Sequence, residues 1–118
     1  MAISASSADA PCSCEDPAAT YQQFESTDLG DDPAEGRMVH ISLNRCRTCR
    51  RLWLRYQVED PGISRSGRWE RGLVNEQVAG AIRPETARAH LDGLPWRIFG
   101  GSWFGGRSGR QTTPMAWE

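Results

Sequence analysis

Four cysteines fall in two close pairs along the chain, Cys12 with Cys14 and Cys46 with Cys49. Structural zinc sites hold the ion in a tetrahedron of four ligands, with each sulfur at about 2.3 Å. Two close pairs of cysteines on separate turns supply that arrangement readily. Because four thiolates leave no position open for water, the spacing predicts a structural Zn²⁺ ion rather than a catalytic one.

Other chemistry is open to the same residues. Cys46 and Cys49 could form a thiol–disulfide redox pair, although such pairs usually open a helix in a βαβ unit and strands flank this one. Four thiolates also accept iron, and unligated buried cysteines are a further alternative. His40 could replace one cysteine as a ligand, whereas His90 is expected near the end of a helix, where it complements the helix dipole.

The stretch from Cys46 to Val58 (CRTCRRLWLRYQV) is a cysteine knuckle followed by an apolar strand, and here the chain resembles zinc-ribbon proteins. Zinc ribbons typically pair two Cys-x-x-Cys knuckles, and the Cys12-Ser13-Cys14 pair departs from that pattern by being one residue shorter. The resemblance implies a structural metal that holds a small β-sheet together. It implies no single activity.

Alternating apolar residues predict antiparallel strands on both sides of the knuckle. Residues 37–43 alternate with β-branched side chains and residues 52–58 alternate again, which predicts a hairpin tipped by the cysteines. A third strand is predicted over residues 68–74 and a shorter fourth over 78–82. The expected fold class is α+β, a small zinc-stapled antiparallel sheet of three to four strands with one or two short helices.

The clearest predicted helix covers residues 84–92, because a proline stands in its first turn and a glycine follows it. A short helix is predicted over residues 17–25, followed by a polar acidic loop over 26–36. Residues 1–11 are small and polar and predict a disordered tail. We therefore expect a single zinc-ribbon-like domain over residues 12–118.

The composition fits a folded chain with a thin core. Of 118 residues, 38% are apolar, yet only 19 are Leu, Ile, Val or Phe, so a metal staple would add needed stability. No stretch approaches the roughly 20 apolar residues of a membrane span. The N-terminal sequence lacks the basic and apolar regions of a secretory signal, so we expect a bacterial cytoplasmic protein, whose thiols stay reduced.

Charge is divided unevenly along the chain. Residues 1–36 hold eight acidic residues and no Lys or Arg, whereas residues 37–118 hold all 14 basic residues, each an arginine, and seven acids. Such a division indicates either an interaction surface or two parts that pack together and neutralise each other.

Two features predict contact with a partner. The first is the dense acidic loop, and the second is a glycine-rich segment with Trp and Arg, which are enriched at binding hot spots. The candidate partner-binding residues are Asp28, Asp31, Asp32, Glu35, Trp103 and Arg107. The aromatic residues of that segment could equally complete the thin core.

The sequence carries no nucleophile with a base and no phosphate-binding loop, so it predicts no catalytic residue and no enzyme. We expect a non-enzymatic module that binds another protein, as an adaptor, an inhibitor or a toxin-immunity protein. The alternative is a nucleic-acid-binding protein that uses arginines at 45–55 and 65–71, with Trp53 and Trp69 for stacking.

Overall fold

The computed structural model describes residues 12–31, 38–60, 62–105 and 107–113, which form a six-stranded antiparallel sheet. Each strand pairs with the next along the chain, so the sheet is a meander. The strands are β1 (Phe24–Asp31), β2 (Met38–Cys46), β3 (Leu52–Glu59), β4 (Arg68–Val74), β5 (Arg97–Gly100) and β6 (Gly109–Gln111). The expected α+β fold with three to four strands is therefore wrong, and the protein is mostly β-structure.

Helices in the described part of the chain are short. Two are α-helical, α1 (Glu76–Ala79) and α2 (Ala87–Asp92). The 3₁₀ turns are Ser13–Glu15, Tyr21–Gln23, Pro84–Thr86 and Ser102–Phe104. The predicted helix over 84–92 is confirmed as a 3₁₀ turn that continues into α2. Among the described residues, no helix is long and apolar enough to cross a membrane.

The predicted hairpin is confirmed as β2 and β3. Apolar residues on the two strands face each other across the pair, with Val39 opposite Val58 and Leu43 opposite Leu54. The third predicted strand coincides with β4. These strands were predictable because β-branched and aromatic side chains alternate with polar ones along them.

The short helix predicted over 17–25 is wrong, because that range holds only the 3₁₀ turn Tyr21–Gln23 before β1 begins at Phe24. The loop predicted over 26–36 is wrong as far as residue 31, because β1 continues to Asp31. β1 is an edge strand whose middle residues are exposed, so it needs few apolar side chains, and the pattern of polar residues hid it. Ser26 lies opposite Asn44 of β2, which extends the sheet from the hairpin. The predicted disordered tail and residues 32–37 lie outside the described residues.

The fourth predicted strand, over 78–82, is also wrong. The Asn75 side chain accepts a hydrogen bond of 2.8 Å from the Val78 backbone N–H, which caps the first turn of α1. The apolar residues of this segment, Ala79 and Ile82, instead join the core that covers the sheet. The strand that pairs with β4 on the side away from β3 is β5, which lies in the glycine-rich segment.

One face of the sheet, here called the helix face, carries the main apolar core. Ile41, Leu54 and Val58 on β2 and β3 pack in one buried cluster with Ala87 and Leu91 of α2. This burial fixes the register of the hairpin, because a slip of one residue would turn the apolar side chains to the opposite face.

The opposite face, here called the cysteine face, carries Asn44, Arg55 and Arg71, together with Trp53. Residues 12–23 lie against this face, and Cys14 shares a buried cluster with Trp53. The N-terminal segment thus covers the cysteine face and forms a second layer on the sheet. Contacts that fix this segment also fix that second layer.

The helix face also buries an ion pair. Arg97 Nη1 donates to Glu70 Oε2 at 3.3 Å, and both side chains are almost fully buried. Burial raises the pKa of Glu70 to about 7, with a smaller upward contribution from Asp92, and this outweighs the lowering by Arg97. Glu70 therefore holds a proton more readily in the folded chain than in the unfolded one.

This pKa predicts a pH dependence of stability. Because the folded-state pKa of Glu70 lies above its ordinary value, the folded chain binds more protons, and its free energy of unfolding should fall as pH rises from about 4.5 to about 7. Glu70→Gln should lack this decrease. Urea unfolding of both zinc-loaded proteins at pH 5 and pH 7.5 measures it, and a constant difference between the two proteins at the two pH values would contradict the prediction.

Candidate metal centre

The tip of the β2–β3 hairpin forms one half of the cysteine site. Cys46 ends β2, and its backbone N–H donates to the Arg51 carbonyl at 2.8 Å. Arg50 N–H donates back to the Cys46 carbonyl at 3.0 Å, and Arg50 itself adopts a positive φ of 67°. This closed turn places the sulfur atoms of Cys46 and Cys49 on the same side of the hairpin.

The other half of the site is a 3₁₀ turn in the N-terminal segment. The Glu15 backbone N–H donates to the Cys12 carbonyl at 3.0 Å, which brings Cys12 and Cys14 to one side of the turn. The Glu15 carboxylate forms an ion pair of 2.7 Å with Arg51 of the knuckle. The first half-site is thus a single turn rather than a second hairpin knuckle, which is where the chain differs from the zinc-ribbon pattern.

The structure brings together all four cysteines predicted as ligands. Their sulfur atoms lie within 4.8 Å of one another, with 3.7 Å between Cys12 and Cys46 and 3.5 Å between Cys14 and Cys49. A tetrahedral zinc ion with sulfur at about 2.3 Å places its ligands about 3.8 Å apart, close to these distances. A disulfide requires sulfur atoms at about 2.05 Å, and all four cysteines are free. The cluster therefore fits a metal ion, and four thiolates suit zinc.

Hydrogen-bond donors surround the sulfur of Cys46. Gln23 Nε2 donates to it at 3.2 Å and the Thr48 backbone N–H at 3.4 Å. Burial alone would raise the pKa of Cys46, but these donors and the backbone N–H of Cys49 lower it to about 6. Cys46 is therefore the cysteine best prepared to meet a metal ion as a thiolate.

The remaining thiols are held differently. Burial raises the pKa of both Cys14 and Cys49, so without a metal they keep their protons. Arg51 Nη1 lies 4.0 Å from the Cys14 sulfur and supplies a positive charge beside it. A bound metal ion must displace the thiol protons, so its affinity decreases as pH falls.

A layer of aromatic rings excludes water from the inner side of the site. Trp53 is fully buried in one cluster with Phe24, Cys14 and Cys46. Trp96 packs edge-on against Trp53, with 5.7 Å between the ring centroids. Trp96 is partly buried and packs against the buried cluster, so this tail aromatic contributes to the core.

His40, considered as a replacement ligand, lies away from the cysteines. Its Nδ1 lies 3.0 Å from Asp31 Oδ1 and its Nε2 lies 3.3 Å from Asp28 Oδ1. His90 lies in the last turn of α2, where the dipole role was expected. In the described part of the chain, the group of side chains that could hold a metal ion consists of the four cysteines alone.

The residues predicted to bind a partner lie on two separate parts of the sheet. Asp28 and Asp31 are exposed on edge strand β1, whereas Trp103 and Arg107 lie between β5 and β6 at the other edge. The remaining two acidic candidates, Asp32 and Glu35, lie outside the described residues. The structure therefore does not join the acidic and aromatic candidates into one surface.

Three residues that support the site carried no signal in the sequence. Gln23 and Arg51 contact cysteine sulfur atoms, and Arg71 Nη2 lies 3.5 Å from the Cys14 carbonyl. Gln23 and Arg71 are distant from Cys46 and Cys14, respectively, in the sequence, so only the folded structure reveals their roles.

Comparison with known proteins returned no match to a family model, to a curated protein or to a solved structure. Fold and site therefore define the class on their own: a small six-stranded β-meander protein with a four-cysteine cluster that can hold a metal ion, consistent with zinc.

Proposed function

We propose that this chain is a zinc-binding, non-enzymatic module that binds another protein. The observation that carries the first part is the closed set of four sulfur atoms, which leaves no open coordination position for a substrate or water. The ion would tie the N-terminal segment to the hairpin tip. Its role is then to hold the second layer of the fold in place.

The surface proposed for the partner lies at the end of the sheet away from the cysteines. Trp103 is 40% exposed, and the Arg68 guanidinium lies 4.4 Å from its ring centroid. Met38 begins β2 at the same end, and Ile63 lies in the β3–β4 loop; both are mostly exposed. Exposed apolar side chains beside arginine are typical of protein-binding hot spots.

The contacts of the knuckle arginines favour a protein partner over nucleic acid. Arg47 and Arg50 both pair with Glu25, and Arg51 pairs with Glu15. Arg45 pairs with Glu76. Arginines already matched to carboxylates on the same chain have less charge to offer to phosphates, so the knuckle gives the nucleic-acid alternative little support.

Two variants at opposite ends of the protein test the proposal. Trp103→Ala should capture at least about tenfold less of the partner protein from a lysate of the native host than the wild-type chain does, because an exposed aromatic anchor is lost. Tyr21→Ala is the matched control, since Tyr21 is 82% exposed but lies beside the cysteine end. Quantitative mass spectrometry of the bound fractions gives the ratio.

Two results would contradict the proposed role. One is an identical set of captured proteins with wild-type chain and both variants, which would mean that Trp103 has no part in binding. The other is capture of nucleic acid alone, released by moderate salt, which would favour the alternative.

A further inference from the structure

A cavity of about 170 Å³ opens between the N-terminal segment and the cysteine face, beside the metal centre. Its polar wall consists of Ser26, Ser42, Asn44, Arg55 and Arg71 from four adjacent strands. The volume is sufficient for several water molecules or for one small ion. The main core and the exposed Trp103 surface make no use of it.

Two arginines stand directly opposite each other in this wall. Arg55 of β3 pairs with Arg71 of β4 in the antiparallel register, so both side chains project from the same face. Like charges directly opposite on a sheet are destabilising. Among the residues that the structure describes, neither guanidinium forms an ion pair with a carboxylate.

The groups that accept hydrogen bonds from these arginines are neutral. Arg71 Nη2 lies 3.5 Å from the Cys14 carbonyl and 3.3 Å from the Asp16 carbonyl, and the buried Nε of Arg71 has no acceptor within the described part of the chain. Arg55 Nη1 donates to Gln57 Oε1 at 2.7 Å. Carbonyl and amide oxygens position the guanidiniums, and the Asp16 carboxylate adds a negative charge near Arg71 without forming an ion pair with it.

Aromatic rings keep the two guanidiniums in place. The Arg71 guanidinium lies 4.8 Å from the ring centroids of both Phe24 and Trp69, and the Arg55 guanidinium lies 5.6 Å from Trp69. Stacking of this kind fixes the donor forks before any ligand arrives, which lowers the entropy cost of binding.

The hydroxyl groups of the wall are also donors. Asn44 Nδ2 donates to Ser26 Oγ at 3.2 Å and to Ser42 Oγ at 3.0 Å. Each serine Oγ accepts a hydrogen bond from the Asn44 amide, so the hydroxyl proton of each serine is available to donate to another group. Among the described residues, no acceptor receives either proton.

We propose that this cavity binds a phosphate group, held by Arg55 and Arg71 together with the hydroxyls of Ser26 and Ser42. The dianion of a phosphate monoester offers only acceptors and carries close to two negative charges, which match two guanidiniums and two hydroxyl donors. A carboxylate, with one charge, would leave one arginine unbalanced. This inference does not depend on the proposed protein-binding role.

Calorimetric titration of the zinc-loaded protein in a phosphate-free buffer tests the proposal with three probes: inorganic phosphate, phenyl phosphate and acetate. Arg55→Gln should weaken binding of both phosphates about tenfold or more, because charge-assisted donors are the main source of affinity. Ser42→Ala should weaken it less. Arg83→Gln is the matched control, since Arg83 is exposed and outside the cavity wall.

The probes distinguish the sources of the phosphate group. Equal binding of both phosphates identifies the free anion as sufficient, whereas binding of phenyl phosphate alone identifies a monoester with an aromatic group. Acetate binding as tight as phosphate would overturn the proposal in favour of a carboxylate site. No saturable phosphate binding by the wild-type protein, or equal binding by Arg55→Gln, would overturn the site itself.

Discussion

Replacement of Cys46 by Ser should leave the chain without zinc and largely unfolded. Cys46 is fully buried, ends β2 and is the sulfur with the most hydrogen-bond donors around it. Structural zinc sites contribute on the order of 10 kcal/mol of folding free energy, as much as the whole net stability of a typical domain. Zinc content by mass spectrometry and the near-ultraviolet circular dichroism of the tryptophans measure the two losses.

Cys12→Ser separates the two half-sites. Cys12 is only partly buried, and its sulfur lies 3.7 Å from that of Cys46. If the N-terminal pair ligates, this variant should lose most of its zinc, and residues 12–23 should become sensitive to proteases. Ser13→Ala is the control, because Ser13 is exposed in the same turn. A Cys12→Ser protein with full zinc and unchanged melting would show that the first pair is not part of the site.

Elemental analysis of the wild-type protein identifies the metal. Protein purified without chelator should contain about one zinc per chain, because the two cysteine pairs make one tetrahedral site. Iron bound to four thiolates would instead give the protein visible absorption. A metal content below a quarter equivalent would contradict the site itself.

The central hairpin and β4 could be predicted from the sequence because their side chains carry the signal. Val39, Ile41 and Leu43 alternate with polar residues, and the helix face of the sheet buries that alternation. The cysteines were likewise predictable as ligands, since each close pair in the sequence lies on one turn and so supplies two neighbouring sulfur atoms to the group of four. Local pattern and three-dimensional position coincide in these segments.

β1 and β5 were not predictable because their neighbours decide their structure. Glu25, Asp28 and Gly30 have low strand propensity, and they form part of a strand because β2 offers them an edge. The segment around Phe99 is rich in glycine, which weakens local preference, and it pairs with β4 across a long connection. Pairing between distant segments leaves no trace in a window of ten residues.

The same limit hid the cavity behind the metal centre. Arg55 and Arg71 lie 16 positions apart in the sequence, and only the β3–β4 register places them opposite each other. In the sequence they belong to the arginine groups at 45–55 and 65–71 considered for nucleic-acid contact, with no sign that they would line one cavity.

Gly101→Ala should destabilise the protein more than any other single added methyl group near the Trp103 segment. Gly101 has a φ of +123° and a ψ of 165°, a backbone region that is essentially restricted to glycine. A Cβ at this position would collide with the Gly67 carbonyl and would lie 2.7 Å from the Arg68 Cα. Since both contacts are backbone atoms, no side-chain rotation can relieve them, and we expect a loss of about 3 kcal/mol or more.

Gly105→Ala is the matched control for this prediction. Gly105 also has a positive φ, +62°, but an added Cβ would meet nothing within 4 Å. Its cost should therefore be the conformational cost alone, about 1 kcal/mol. Urea unfolding of the zinc-loaded proteins gives both free energies. Equal losses in the two variants would mean that the close approach of Gly101 to Gly67 does not hold the segment. The backbone N–H of Trp103 donates to the Gly67 carbonyl at 2.9 Å. A larger loss of stability in Gly101→Ala, together with reduced partner capture, would therefore show that the close contact between Gly101 and Gly67 positions Trp103 for binding.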